Sequence, residues 1–212
     1  MTTPVLYDYW RSSASYRVRL ALALKGIAYT SIAVNLAGGE QSGPEHLARN
    51  PMAAVPVLDI DGLRLTQSLA IIEYLDETRA GIRLLPVDPA ERAFVRSLAL
   101  VIAADTHPLG NLATLNRIAC LGGEVAKLDW ARHHIARGLS AFETLLSGRD
   151  CATFCLGGAP GLADICLIPQ FYNARRWGVD VAAFPRCMAI EEAFAALPAY
   201  SAAHPDRFAP KS

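Results

Sequence analysis

The chain has 212 residues, and its 20 Lys and Arg balance 20 Asp and Glu. That length holds one large or two small domains with a true core. With 52% hydrophobic and 19% charged residues, against about 45–50% and about 25% in typical globular domains, a disordered chain is excluded. The zero net charge argues against nucleic acid, because phosphate binding normally shows as a basic domain. Five cysteines (Cys120, Cys151, Cys155, Cys166, Cys187) form no Cys-x-x-Cys pair and are expected as reduced thiols of a cytoplasmic protein. No apolar run approaches the roughly 18 residues of a membrane span. Met1–Pro4 leads into no apolar stretch, so neither a signal peptide nor a membrane partner is expected.

In chain order, Val5–Tyr9 reads as a strand. Val18, Ala21 and Leu22 then mark a helix stopped by Lys25-Gly26, with Ile27 as the apolar contact beyond the glycine. Tyr29–Val34 and Val55–Ile60 are further strands, and Asp61-Gly62 signals a hairpin into Leu63–Leu65. Ser68 opens a helix over Leu69–Glu77. Leu85–Pro89 is rich in helix-stopping residues. Beyond it Ala90–Ala104, Trp130–Leu146, Ala163–Trp177 and Ile190–Leu197 carry apolar residues at helical spacing. The expected class is α/β plus all-α: a small α/β domain over residues 1–83, a linker over 84–89, and an all-helical domain over 90–212.

Ser12, Ser13 and Ser15 cluster between the first strand and the first helix. A helix start exposes unpaired N–H groups and the positive end of the macrodipole, which together attract an anion. Arg11, Arg17, Arg19 and Lys25 surround this stretch, and no Asp or Glu occurs between Asp8 and Glu40, so a local anion site is expected. The plainer reading is that a serine merely caps the helix. A thiol redox enzyme would need a cysteine here, and position 14 is Ala.

A second such start follows Gln67, at Ser68. Val55-Pro56 precedes a strand, and Pro56 must sit at its start or edge, which leaves the preceding backbone able to bind a ligand. Two helix starts in one domain suit a ligand with a carboxylate and a second anionic group. No His, Cys, Asp or Glu grouping has metal-ligand spacing, so no metal is expected.

Tyr9–Arg19, Asn50-Pro51-Met52, Val55-Pro56 and Gln67–Leu75 together resemble the zeta class of glutathione transferases. The resemblance extends to about Pro185 and takes in Leu84-Leu85-Pro86, Leu162-Ala163-Asp164 and Asn173–Trp177. It implies a thioredoxin-like N-terminal domain, an all-helical C-terminal domain, glutathione as cofactor and a homodimer. It assigns Ser12 to the thiolate with support from Ser13, the Val55 backbone before a cis Pro56 to the tripeptide, and Gln67 and Ser68 to the γ-glutamyl carboxylate. The class has Cys where Ala14 stands. It has polar residues where Ala53-Ala54 stand, which would leave the glycine carboxylate to Gln41, His46 or solvent.

In the second domain Pro108 interrupts a helical pattern and should kink the helix. His107 and Asn111, four apart, would then share one side. The resemblance points both at glutathione. His133 and His134 are adjacent and read as surface or packing residues. Asp164 resembles a capping-box acid, although Gly161 replaces the Ser or Thr. Arg176 resembles a substrate-facing position. With Arg11 it would hold the carboxylate of a small dicarboxylate bidentately.

The activity implied is glutathione-dependent cis–trans isomerisation of maleylacetoacetate, by reversible thiolate addition to the alkene. Maleylpyruvate isomerase and a transferase for small α-halo acids use the same site. Leu112-Ala113, which add no basic charge after Asn111, favour maleylacetoacetate. A non-catalytic glutathione-fold binding protein is disfavoured by the intact serine loop.

Overall fold

The computed structural model describes residues 3–148 and 153–210. Cys151 lies outside them. The chain divides into two units, residues 1–84 with 197–212 and residues 85–196.

The first unit is built on a four-stranded sheet of order β2-β1-β3-β4. The strands are β1 (Val5–Asp8), β2 (Thr30–Ala33), β3 (Val57–Ile60) and β4 (Leu63–Thr66). β2 runs parallel to β1, which requires a crossover, and helix α1 (Ser13–Leu24) supplies it. β1 and β3 are antiparallel, as are β3 and β4. Asp61 and Gly62, at φ 53° and 76°, close the β3–β4 turn in the left-handed pair that an Asp-Gly hairpin favours.

α1 begins well before Val18, at the serine cluster. It ends as expected: Gly26 is left-handed, Ile27 N–H reaches the Leu22 carbonyl, and Gly26 N–H reaches that of Ala23. Residues Ser15 to Leu22 of α1 are all buried, so the helix has no solvent face. One side meets helix α3 (Ser68–Thr78), which contributes buried Ile71, Ile72 and Leu75. The short α2 (Pro44–Leu47) lies in the connection from β2 to β3. The other side of α1 is covered by α8 (Pro198–Ala203) through buried Ala199 and Ala203. Chain order places everything after residue 90 in the helical domain, whereas residues from Leu197 pack with the first unit, because α1 needs that cover.

The second unit contains α4 (Pro89–Ala103), α5 (Leu112–Ser147), α6 (Leu162–Trp177) and α7 (Pro185–Ala195). Asp88 caps α4 by accepting from Ala90 and Glu91 N–H. α6 is its centre, buried from Leu162 to Phe171 and packed against α4, α5 and α7. α5 starts far ahead of the expected Trp130 and is broken by non-helical Gly123. Among the described residues no helix is long and apolar enough to cross a membrane.

Candidate functional site

The ladder register brings the motifs of the first unit to one end of the sheet. Tyr7 pairs with Val57, and Val57 pairs with Thr66. Asp8 ends β1 and the chain runs on to Arg11 and Ser12. Val55-Pro56 leads into β3, and Thr66 ends β4 just before Gln67 and Ser68. All three segments therefore leave the same edge of the same three strands.

Ser12 is the N-cap of α1 and its Oγ accepts from Ser15 N–H at 3.2 Å. The capping and ligand readings are compatible, because capping uses a lone pair and leaves the O–H proton to donate. Ser13 is buried at the first helical position, and Ala14 is half-buried beside it. Arg11 is exposed, donates to Tyr9 Oη at 3.1 Å, and lies over the Trp10 ring with 4.8 Å to the centroid.

The Val55–Pro56 bond is cis, and Val55 is buried just outside the ladder, whose first β3 residue is Val57. Gln67 is exposed with φ 67° and ψ 114°, a conformation that L-residues seldom adopt and that gathers at ligand sites. Ser68 opens α3. It is buried, and Arg17 Nη1 donates to its Oγ at 3.1 Å.

The expected basic cluster is not an open anion site. Arg19 is buried on Asp8, and Lys25 Nζ sits 2.7 Å from Asp76, so two of its four charges are neutralised internally. His46 is buried and turns its Nε2 to the backbone. Its Nε2 lies 3.0 Å from the Ala54 carbonyl, which also accepts from Asn50 Nδ2 at 2.8 Å. The two side chains hold the Ala53-Ala54 loop, with Ala53 at φ 51°.

His107, Asn111 and Arg176 belong to the second unit. Pro108 does not kink one helix but separates two. α4 stops at Ala103, His107–Gly110 form a 3-10 turn, and Asn111 is the N-cap of α5. The ring of proline cannot follow a helical preceding turn without a clash, so His107 and Asn111 share no helix face. Of the two α6 arginines, Arg175 is held by both carboxylate oxygens of Glu191, while Arg176 Nη2 donates to Asn173 Oδ1 at 3.1 Å. His134 packs on the Trp130 ring at 4.2 Å, and His133 is exposed.

Asp164 accepts from Cys155 and Gly161 N–H, each at 2.8 Å. Gly161 has no side chain to reciprocate, so only one arm of the box exists. Burial pushes the Asp164 carboxyl up despite these bonds, and the Cys155 thiol beside it is pushed up as well, chiefly by burial. Such a thiol is inert at neutral pH.

A shallow depression of about 400 Å³, lined by residues including Val5, Asp59, Asp61 and Arg64, lies at the opposite, turn end of the sheet. Its acids are spent: Arg64 holds Asp59 at 2.7 and 2.8 Å, and Tyr74 and Arg79 hold Asp61.

The family pattern described as glutathione S-transferase, N-terminal domain, matches residues 3–77, and that of the C-terminal domain matches residues 89–203. The maleylacetoacetate isomerase of Rhizobium meliloti (strain 1021) is 54% identical over 208 residues, 97% of this chain and 98% of that protein. A solved maleylacetoacetate isomerase from Methylobacterium extorquens AM1, with bound malonate and glutathione, superposes with TM-score 0.93 at 45% identity, covering 98% of this chain and 100% of the other. A bacterial maleylpyruvate isomerase described as a zeta-class glutathione transferase gives 0.94 at 38% identity, covering 98% and 99%.

Proposed function

Starting from a chain that belongs to the glutathione transferase family, we propose that it is a glutathione-dependent cis–trans isomerase acting on maleylacetoacetate. The observation that carries this reading is Ser12: its oxygen caps α1 and its O–H proton stays available, at the sheet end shared with Val55 and Ser68. The donor set fits glutathione in kind. Ser12 and the start of α1 favour a sulfur anion, the Val55 backbone suits a peptide, and Ser68 with the start of α3 favours a carboxylate.

When bound, glutathione supplies the sulfur nucleophile, whose reversible addition turns the substrate's double bond into a single bond that rotates before elimination. A free thiol with a pKa near 8.5 is only a few per cent ionised at about pH 7. Ser12 donates to the ionised sulfur and Ser13 supports it from the next turn position. Val55, Gln67 and Ser68 orient the tripeptide, and His107 and Asn111 are assigned to it as well. Arg11 and Arg176 are assigned to the substrate carboxylates, where a guanidinium also favours the enolate charge that addition creates. The protein is further proposed to work as a cytoplasmic homodimer, in breakdown of tyrosine and phenylalanine.

Maleylpyruvate is the second reading, supported by the fold likeness to the maleylpyruvate enzyme. Leu112-Ala113 after Asn111 favour the first. The test compares turnover of maleylacetoacetate, maleylpyruvate and dichloroacetate with and without glutathione. Maleylacetoacetate is expected to be fastest, with strict dependence on glutathione. Ser12→Ala is expected to lower kcat by about a hundredfold or more, the usual loss for one anion donor. No turnover of any of the three would overturn the enzymatic reading, and faster turnover of maleylpyruvate would transfer it to that substrate.

A further inference from the structure

Arg17 is a buried cation that the assignments above do not use. The residue is 2% exposed and its guanidinium donates from Nη1 to Ser68 Oγ at 3.1 Å, with Ser68 itself 6% exposed. Arg17 lies on α1 and Ser68 is the first residue of α3, so this bond ties together the two helix starts at the serine end of the sheet.

The contact also sets the polarity of the hydroxyl. A serine O–H has one proton to give and lone pairs to accept with, and a free hydroxyl rotates to suit its partner. An arginine has only donors. With Arg17 donating into the oxygen, Ser68 is left with its proton to offer, and a charged donor behind the oxygen strengthens that proton as a donor. A carboxylate at Ser68 then meets a donor already turned toward it. Arg19, two residues along, is the contrast: its donors go to Asp8, the Trp10 carbonyl and the Ala203 carbonyl, all internal to the fold.

We infer that Arg17 is a positioning residue for the γ-glutamyl α-carboxylate of glutathione, acting through Ser68 by fixing its hydroxyl as a donor. The inference rests on the proposed glutathione site at Ser68. It implies that Arg17 serves one group of the tripeptide only, because Ser68 is its route to the ligand.

The test is calorimetric binding of two ligands, glutathione and γ-aminobutyryl-cysteinylglycine, which lacks that one carboxylate. Arg17→Met removes the donors and keeps most of the volume. It is expected to raise the Kd for glutathione by about tenfold or more, the size of a lost hydrogen bond to a charged group, and to leave the Kd of the analogue unchanged. Arg17→Lys should recover part of the loss. In a Ser68→Ala background the Arg17→Met effect should vanish. Equal weakening of both ligands, or of neither, overturns the inference. If the Arg17 variants fail to fold, nitrogen-15 spectra of arginine side chains in the unaltered protein decide it. The Arg17 Nε–H signal must shift with glutathione and not with the analogue, and its failure to do so overturns the assignment. Absence of glutathione binding by the unaltered protein would instead remove the site reading beneath it.

Discussion

Asp8 and Arg19 form a charge pair sealed inside the first unit. Arg19 Nη1 lies 2.8 and 2.7 Å from the two carboxylate oxygens, and the Arg19 and Asp8 side chains are 0% and 3% exposed. Arg19 also donates to the Ala203 and Trp10 carbonyls and packs over the Phe208 ring. One side chain thus joins β1, the loop before Ser12 and the C-terminal segment.

Removing Arg19 strands a buried carboxylate and two backbone carbonyls at once. Arg19→Met is expected to cost about 3–5 kcal/mol of unfolding free energy in urea at pH 7, as broken buried pairs do. Asp8→Asn combined with Arg19→Met should recover part of that loss, since the uncompensated charge is then gone. An additive pair of losses would mean the two residues act independently.

That pair also explains where the sequence could and could not be read. Local signals were legible: the Asp61-Gly62 turn, the Gly26 stop of α1 and the serine start of α1 all stand where their chemistry puts them. These features depend on neighbours a few residues away. In the sequence Arg19 and Lys25 look like part of an open basic patch, because their acids, Asp8 and Asp76, reach them only through the fold. The docking of residues after Leu197 on α1 was hidden for the same reason. The first half of α5 is masked in the sequence by Gly122-Gly123, which disfavour a helix although Leu121, Val125 and Leu128 keep helical spacing. Ser12, Val55 and Ser68 were legible as separate motifs, whereas their shared sheet end required the register of three strands. In the sequence Arg17 is only a positive charge, because its partner Ser68 lies 51 residues away.

In the second unit, Gly138 of α5 packs directly against Thr106. A Cβ built there would lie 2.0 Å from Thr106 Oγ1, whose position is held by donation to the Val101 carbonyl at 2.6 Å. Helix propensity alone would make Gly138→Ala stabilising by about 1 kcal/mol. Overpacking of about 1–3 kcal/mol opposes it, and at this separation the clash dominates. A net loss of stability is expected by thermal melting. Adding Thr106→Ala should recover part of the loss in the Gly138→Ala variant, because it removes the 2.0 and 2.6 Å contacts and leaves only Thr106 Cβ, at 2.8 Å. A higher melting temperature for Gly138→Ala alone would refute the contact.

The hairpin turn carries a pH signature. Hydrogen bonds from Arg79, and next from Tyr74, hold the Asp61 carboxyl below its usual 3.8. The folded state therefore favours the ionised form. The resulting stability is fully present above pH 3.8 and is lost as pH falls through the lower folded value. Asp61→Asn should be less stable than the parent at pH 7, and the difference should close as the acid limb below pH 3.8 is entered. Asp61 is solvent-facing, so the difference will shrink in high salt. A gap that stays constant from pH 7 to the acid limb would exclude the charge as its source.

The start of α1 can be tested for its affinity for a sulfur anion without any substrate. Ala14 is half-buried at the second position of α1, where the zeta class carries Cys. A thiol placed there meets the unpaired N–H groups and positive end of the helix, which lower thiol pKa values. Ala14→Cys should therefore ionise in large part near pH 7, where an ordinary thiol is only a few per cent thiolate. Cys120 supplies the internal standard, because it is exposed on α5. Iodoacetamide should label the new thiol about tenfold faster than Cys120 at pH 7, and glutathione should slow only the former. Mass spectrometry of the two peptides gives both rates in one sample. Equal rates would mean that the helix start confers no stabilisation on a thiolate, and the role assigned to Ser12 would lose its physical basis.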